Sequence, residues 1–150
     1  MKPDPTITLL IERSRENYDL SARALGQATA QRDRQTQKLR TLEDYRAEYR
    51  TRMERQAGGG GMAMTELVNF RRFIAQLDQA VEQQQRSVQH AEHAIDLART
   101  RWQEANRQLK SYEVLQTRRA AAAEQVANRK EQRESDAFAQ RIAQSRKSPF

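Results

Sequence analysis

The sequence predicts an all-α protein, a long two-helix antiparallel coiled-coil hairpin with unequal arms. Three observations carry that reading. First, the chain is too polar for a layered core. Of its 150 residues 37% are hydrophobic and 31% charged, with a mean hydropathy of −1.03, whereas an ordinary globular domain is about 45–50% apolar. Second, apolar residues recur alternately three and four positions apart, which is the heptad signature of a coiled-coil seam. Third, the run Gly58-Gly59-Gly60-Gly61 interrupts that pattern between two long halves. With 5 Gly and 3 Pro in all, the chain also lacks the turns of a strand-rich fold. A compact α/β enzyme with a buried pocket is therefore disfavoured.

The first helix is expected over residues 5–56. Asp4 is placed to cap its free N–H groups, and Pro5 suits the first helical position. One seam row reads Ile11, Tyr18, Leu25, Arg32, Leu39, Arg46, Met53, and the other Ile7, Ser14, Ser21, Ala28, Gln35, Leu42, Tyr49. The stretch from Arg32 to Gln35 is the weakest and is expected to be the loosest. Residues 57–64 form a glycine turn, because each Gly costs about 1 kcal/mol against Ala inside a helix. Thr65 is the expected cap of a second helix over 65–140. Its seam runs Leu67, Phe70, Ile74, Leu77, Val81, Gln84, Val88, Ala91, Ile95, Ala98, Trp102, Ala105, Leu109, Tyr112, with Gln84 the only polar member. Residues 141–150 are expected to be a loose tail.

Folding back near residue 59 pairs positions whose numbers add to about 116–119. On that register everything after about Gln116 overhangs without a partner. The seams of the two arms satisfy each other, so residues 1–150 are expected to be one elongated coiled-coil domain and a monomer. A maximum dimension on the order of 100 Å follows from the helix rise.

The net charge is +7, from 27 Lys and Arg against 20 Asp and Glu. Residues 57–116 balance 7 basic against 7 acidic, while residues 117–150 hold 8 basic and 4 acidic. The excess lies toward the termini, and the middle reads as a solvated helix surface. There is no cysteine, which excludes disulfide scaffolds, iron–sulfur clusters and thiolate zinc sites. No apolar run approaches the roughly 18 residues of a membrane span, and the N-terminus lacks a signal-peptide pattern. A cytoplasmic protein is expected.

No catalytic constellation emerges. His90 and His93 lie outside the seam without a third ligand, so no metal is expected. The glycines are followed by Met62-Ala63-Met64 rather than the Lys-Ser/Thr of a phosphate loop. Carboxylate pairs such as Glu43-Asp44 have no pocket to shift their pKa values. The chain is expected to be no enzyme and to need no cofactor.

The aromatic residues are more telling. Trp102 and Tyr112 lie on the seam. Tyr45 and Phe73 each stand one place before a seam row, at flanking positions, as does Ala80. In an antiparallel hairpin these flanking positions meet along one edge, and the numbers 45 and 73 satisfy the hairpin register. An aromatic patch is predicted there, with Leu42, Tyr49 and Leu77 partly exposed beside it. Exposed apolar clusters mark interaction sites; a slightly wide seam is the plainer explanation.

At this point the residues resemble a known family. Leu42-Glu43-Asp44-Tyr45-Arg46-Ala47-Glu48-Tyr49-Arg50 is similar to the L-x-x-Y-x-x-E-Y segment of the FliJ family of flagellar type III export proteins. The stretch from Asn69-Phe70-Arg71-Arg72-Phe73 through Leu77, Ala80 and Gln83 resembles that family's second helix. Trp102 and Asp136-Ala137-Phe138-Ala139-Gln140-Arg141 also match. The resemblance covers nearly the whole chain. It implies a cytoplasmic protein, peripherally associated with the inner membrane through the export apparatus. It implies a coiled-coil stalk that binds and activates the hexameric export ATPase, contacts the membrane export gate and escorts export chaperones. The family's gate-binding patch would correspond to Leu42, Tyr45, Tyr49, Phe73, Leu77 and Ala80. Contact with the ATPase ring is expected from the basic overhang, at Arg118, Arg119, Arg129, Arg133 and Arg141.

Two other classes compete with this reading: a basic nucleic-acid-binding coiled coil and a structural tether. Acidic residues are interleaved throughout, and no aromatic–basic groove is evident. No nucleic-acid partner is therefore expected.

Overall fold

A computed structural model describes residues 4–147. Among them the chain forms two helices, α1 (Pro5–Gly58) and α2 (Met64–Lys147), and no strand. Asp4 caps α1 as expected: its carboxylate accepts the Thr6 N–H at 3.0 Å, and its carbonyl accepts the Thr8 N–H at 3.2 Å. At the other end α1 runs into the glycines. The Gly59 N–H bonds the Arg55 carbonyl at 3.1 Å. Gly60 then takes a φ of 71°, a left-handed conformation that ends helices and favours glycine.

Two boundaries differ from expectation. α2 starts at Met64, with the Ala63 carbonyl accepting the Leu67 N–H at 3.1 Å. Thr65 therefore sits inside the first turn and is not the cap. At its far end α2 continues to Lys147, where a loose tail was expected from 141. Residues 141–147 contain neither Gly nor Pro, and Arg146 and Lys147 suit the negative end of the helix dipole. Residues 148–150 lie outside the described part of the chain.

The described residues divide into two compact units. One joins the start of α1, up to Tyr18, to α2 from Ala105 onward. Ile7, Ile11, Ser14 and Ala105 are its buried residues. Arg15 approaches Glu113 at 3.6 Å, and Arg119 bonds Asp4 at 2.9 Å. An open groove of about 660 Å³ lies over Ile7, floored by Ala120 and Ala123. The expected overhang therefore does not begin at Gln116. An arginine side chain reaches more than one helical turn along a neighbouring helix, so Arg119 reaches Asp4 from beyond the ideal register. From Glu124 to Lys147 every residue except Ala137 is exposed.

The other unit, Asp19–Glu104, contains the turn and the aromatic residues of both arms near it. Ile74, Leu77, Val81, Ala91 and Ile95 form its buried spine, with Val81 only 2% exposed. The two polar seam breaks meet each other here. Gln84 Nε2 donates to the Gln35 carbonyl at 2.9 Å and to its side-chain Oε1 at 2.7 Å. The stretch expected to be loosest thus contains a specific cross-helix bond. A single polar layer specifies register at a cost in stability. Replacing both residues, Gln35→Leu with Gln84→Leu, should raise the thermal midpoint. It should also weaken the cross-helix NOE between Tyr49 and Phe73 as other registers become populated. Ile95→Ala should cost about 2–4 kcal/mol, as truncations of buried Ile do, measured by urea denaturation.

Candidate docking surface

The candidate site belongs to the Asp19–Glu104 unit and is built from both helices. Heptad spacing brings Tyr45 and Tyr49, one turn apart on α1, to the edge where α2 presents Phe70 and Phe73. Tyr49 is the hub. Its ring centroid lies 4.5 Å from Phe73, 5.0 Å from Tyr45 and 6.2 Å from Phe70. Tyr45 meets Phe73 edge-on, at 6.3 Å and 73°. These separations lie in the range where aromatic rings attract beyond simple area burial. The Arg52 guanidinium caps the cluster, 5.5 Å from the Tyr49 ring centre. On the other edge Asp78 holds two arginines of α1, Arg50 at 3.0 Å and Arg46 at 3.2 Å.

The cluster is partly open. Tyr45 is 45% exposed, while Leu42, Tyr49, Phe70, Phe73 and Ala80 are half-buried. Leu77 differs from expectation. It is only 7% exposed, because a seam position points at the other helix. Leu77 supports the surface from beneath. Phe70, which the sequence placed only on the seam, joins the cluster through Tyr49. Phe70 lies one turn before Ile74 and three residues before Phe73, and that spacing was the signal available for it.

A side-chain hydrogen bond with Tyr49 raises the Tyr45 phenol above its ordinary value of 10.0, and the Tyr49 charge acts in the same direction. The neutral form is the one the fold favours. Its contribution is fully present below the ordinary value and is lost as pH rises through the raised one. In an ultraviolet titration Tyr45 should ionise above 10.0, and Tyr49→Phe should return it toward that value.

The five arginines expected to contact an ATPase ring are all exposed on α2. The structure brings only Arg119 to a partner group within the chain, the Asp4 carboxylate. His90 and His93 are exposed too, and no group of three or more potential metal ligands occurs among the described residues. Among those residues no helix is long and apolar enough to cross a membrane.

The comparisons with known proteins agree with one another. The family model described as "Flagellar FliJ protein" matches residues 5–148. The chain belongs to the FliJ family. A flagellar FliJ protein of Salmonella typhi is 33% identical over 134 residues, 89% of this chain and 90% of that protein. One of Escherichia coli K12 is 29% identical over 137 residues, 91% of this chain and 92% of its own. Both helices and the turn thus fall within the stretch that the family model matches. FliJ proteins are flagellar export components and are not enzymes. The absence of a catalytic constellation in the sequence accords with that membership.

Proposed function

We propose that this FliJ-family chain is a coiled-coil stalk of the flagellar export apparatus with two working surfaces. The aromatic cluster, with Leu42 and Ala80 beside it, docks on the membrane export gate. The exposed basic stretch of α2 contacts and activates the hexameric export ATPase. In this reading the protein also escorts export chaperones. It works in the cytoplasm, held at the inner membrane only through the apparatus.

The observation that carries the reading is the cross-helix cluster of Tyr45, Tyr49 and Phe73. A solitary coiled coil has no need of flanking rings at Tyr45 and Phe73 in tilted and edge-on contact with a seam tyrosine. Leaving Tyr45 45% exposed forgoes the burial that a ring of its size contributes, about 25 cal/mol per Å² of apolar surface. Such rings are common anchors of interfaces.

The test is complementation. A flagellated strain lacking its own FliJ protein, given this chain, should recover swimming. The same chain carrying Tyr45→Ala with Phe73→Ala should be made at normal levels and fail to restore it. Full recovery with the double variant would favour a structural tether, for which the surface of the rings is irrelevant.

A further inference from the structure

The flank that carries the aromatic cluster does not end with it. Tyr45 faces Phe73, and the Gln35–Gln84 bond carries the same register toward the start of α1. One heptad from Tyr45, Lys38 comes opposite Ala80. A second heptad on, Gln31 comes opposite Ser87. There a groove of about 540 Å³ opens over the small side chains of Ser87, Ala91 and Ala94, lined also by Gln31, Gln35, Arg86 and His90. It lies wholly within the Asp19–Glu104 unit.

The groove has an alanine-lined floor at Ala91 and Ala94, polar side chains around it, and one cation, Arg86. Arg34 holds the Gln31 carboxamide with bonds of 2.6 Å and 3.1 Å. The Ser87 hydroxyl donates to the Gln83 carbonyl at 3.3 Å. Gln35 is fixed by Gln84. No carboxylate lines the groove. Among the described residues Arg86 forms no ion pair, whereas Asp33 nearby on α1 is already bonded to Arg32. Lys38 stands between the groove and the rings, exposed. Along this edge the surface thus passes from aromatic to cationic over about 21 Å, fourteen residues at 1.5 Å each.

We propose that the groove receives a carboxylate of the same partner segment whose apolar side chains dock on the rings. The inference rests on the reading of the aromatic cluster as a docking site. It adds the chemistry of the partner: a peptide segment with an apolar anchor at one end and, about 21 Å along, an Asp or Glu that Arg86 can bind through two N–H groups. A peptide fits better than a nucleic acid. The cations here are confined to one short stretch beside an apolar surface, whereas nucleic-acid affinity comes from neutralising several phosphates along a backbone.

The experiment uses the full chain in flagellated cells lacking their own FliJ protein. A photo-crosslinking amino acid is placed at Ala80, at Ser87 and, on the opposite flank, at Arg99. Products are identified by mass spectrometry. Ala80 and Ser87 should link to the same protein, with the Ser87 link within a few residues of an Asp or Glu. In a binding measurement with that protein, Arg86→Glu should weaken affinity roughly tenfold, as reversal of an interfacial charge does. Arg86→Lys should keep most of it, and Arg99→Glu should leave it unchanged. Links from Ala80 without links from Ser87 would overturn the groove assignment and leave the docking cluster standing. Links from neither would overturn both. A Ser87 link to nucleic acid, or to a segment without carboxylates, would also overturn it, as would full affinity in Arg86→Glu.

Discussion

Phe73→Ala and Tyr45→Ala should each weaken binding of the full chain to the cytoplasmic part of the export gate about 30-fold, which corresponds to the roughly 2 kcal/mol typical of an aromatic anchor. Helix content by circular dichroism should hardly change. Both rings lie at flanking positions, and the buried spine of Ile74, Leu77, Val81, Ala91 and Ile95 remains beneath them. Leu77→Ala should behave in the opposite way. Its side chain is buried, so the main loss is stability, about 2–5 kcal/mol for a Leu truncated in a core. A weakened interface in that variant would follow from a loosened hairpin. Tyr49→Ala should combine both effects, because Tyr49 touches three other rings. Calorimetric titration of the four variants, paired with urea denaturation, separates the two kinds of loss.

The second large effect is expected at the far end of α2. Removing the exposed basic stretch should abolish stimulation of the export ATPase. The structure moves the informative cut. Ending the chain after Gln116 would also remove Arg119, the partner of Asp4, and the alanines beneath Ile7. It would confuse a frayed helix start with a lost contact. Ending after Ala127 keeps those contacts and removes Arg129, Lys130, Arg133 and Arg141. The shortened chain should retain its gate affinity and lose most of the ATPase stimulation. Single arginine variants should be mild, because each exposed charge contributes only about 0–1 kcal/mol. Equal stimulation by the full and shortened chains would assign the stretch to solubility and move the ATPase contact elsewhere.

Much of this architecture was legible in the sequence, for physical reasons. A seam sustained in heptads dictates helices of a given length. The glycine run dictates where the chain reverses. Together they set a register that brings Tyr45 to Phe73. Other features depend on side-chain reach and packing that spacing does not encode. The bond from Arg119 to Asp4 needs a long side chain leaning back along the neighbouring helix. Leu77 and Phe70, by contrast, were legible in the spacing: Leu77 holds a seam position, which points at the other helix, and Phe70 stands three residues before Phe73. The Gln35–Gln84 bond was within reach of the register, since the two polar interruptions fall opposite one another. Treating each as a separate weakness concealed that they satisfy each other. The proposed partners came only from the resemblance to a family, because a solvated flank of rings and charges does not name what it binds.

The central claim is that residues from two helices act as one docking face. A double-mutant cycle of Tyr45→Ala and Phe73→Ala in gate binding tests it most directly, because residues sharing one contact surface are coupled whereas distant, independent sites add. The account predicts that each single variant loses about 30-fold and the pair together only about 100-fold, a coupling of about 1.4 kcal/mol. Wild-type affinity in both single variants, or losses that multiply to about 1,000-fold as independent sites would give, would contradict it.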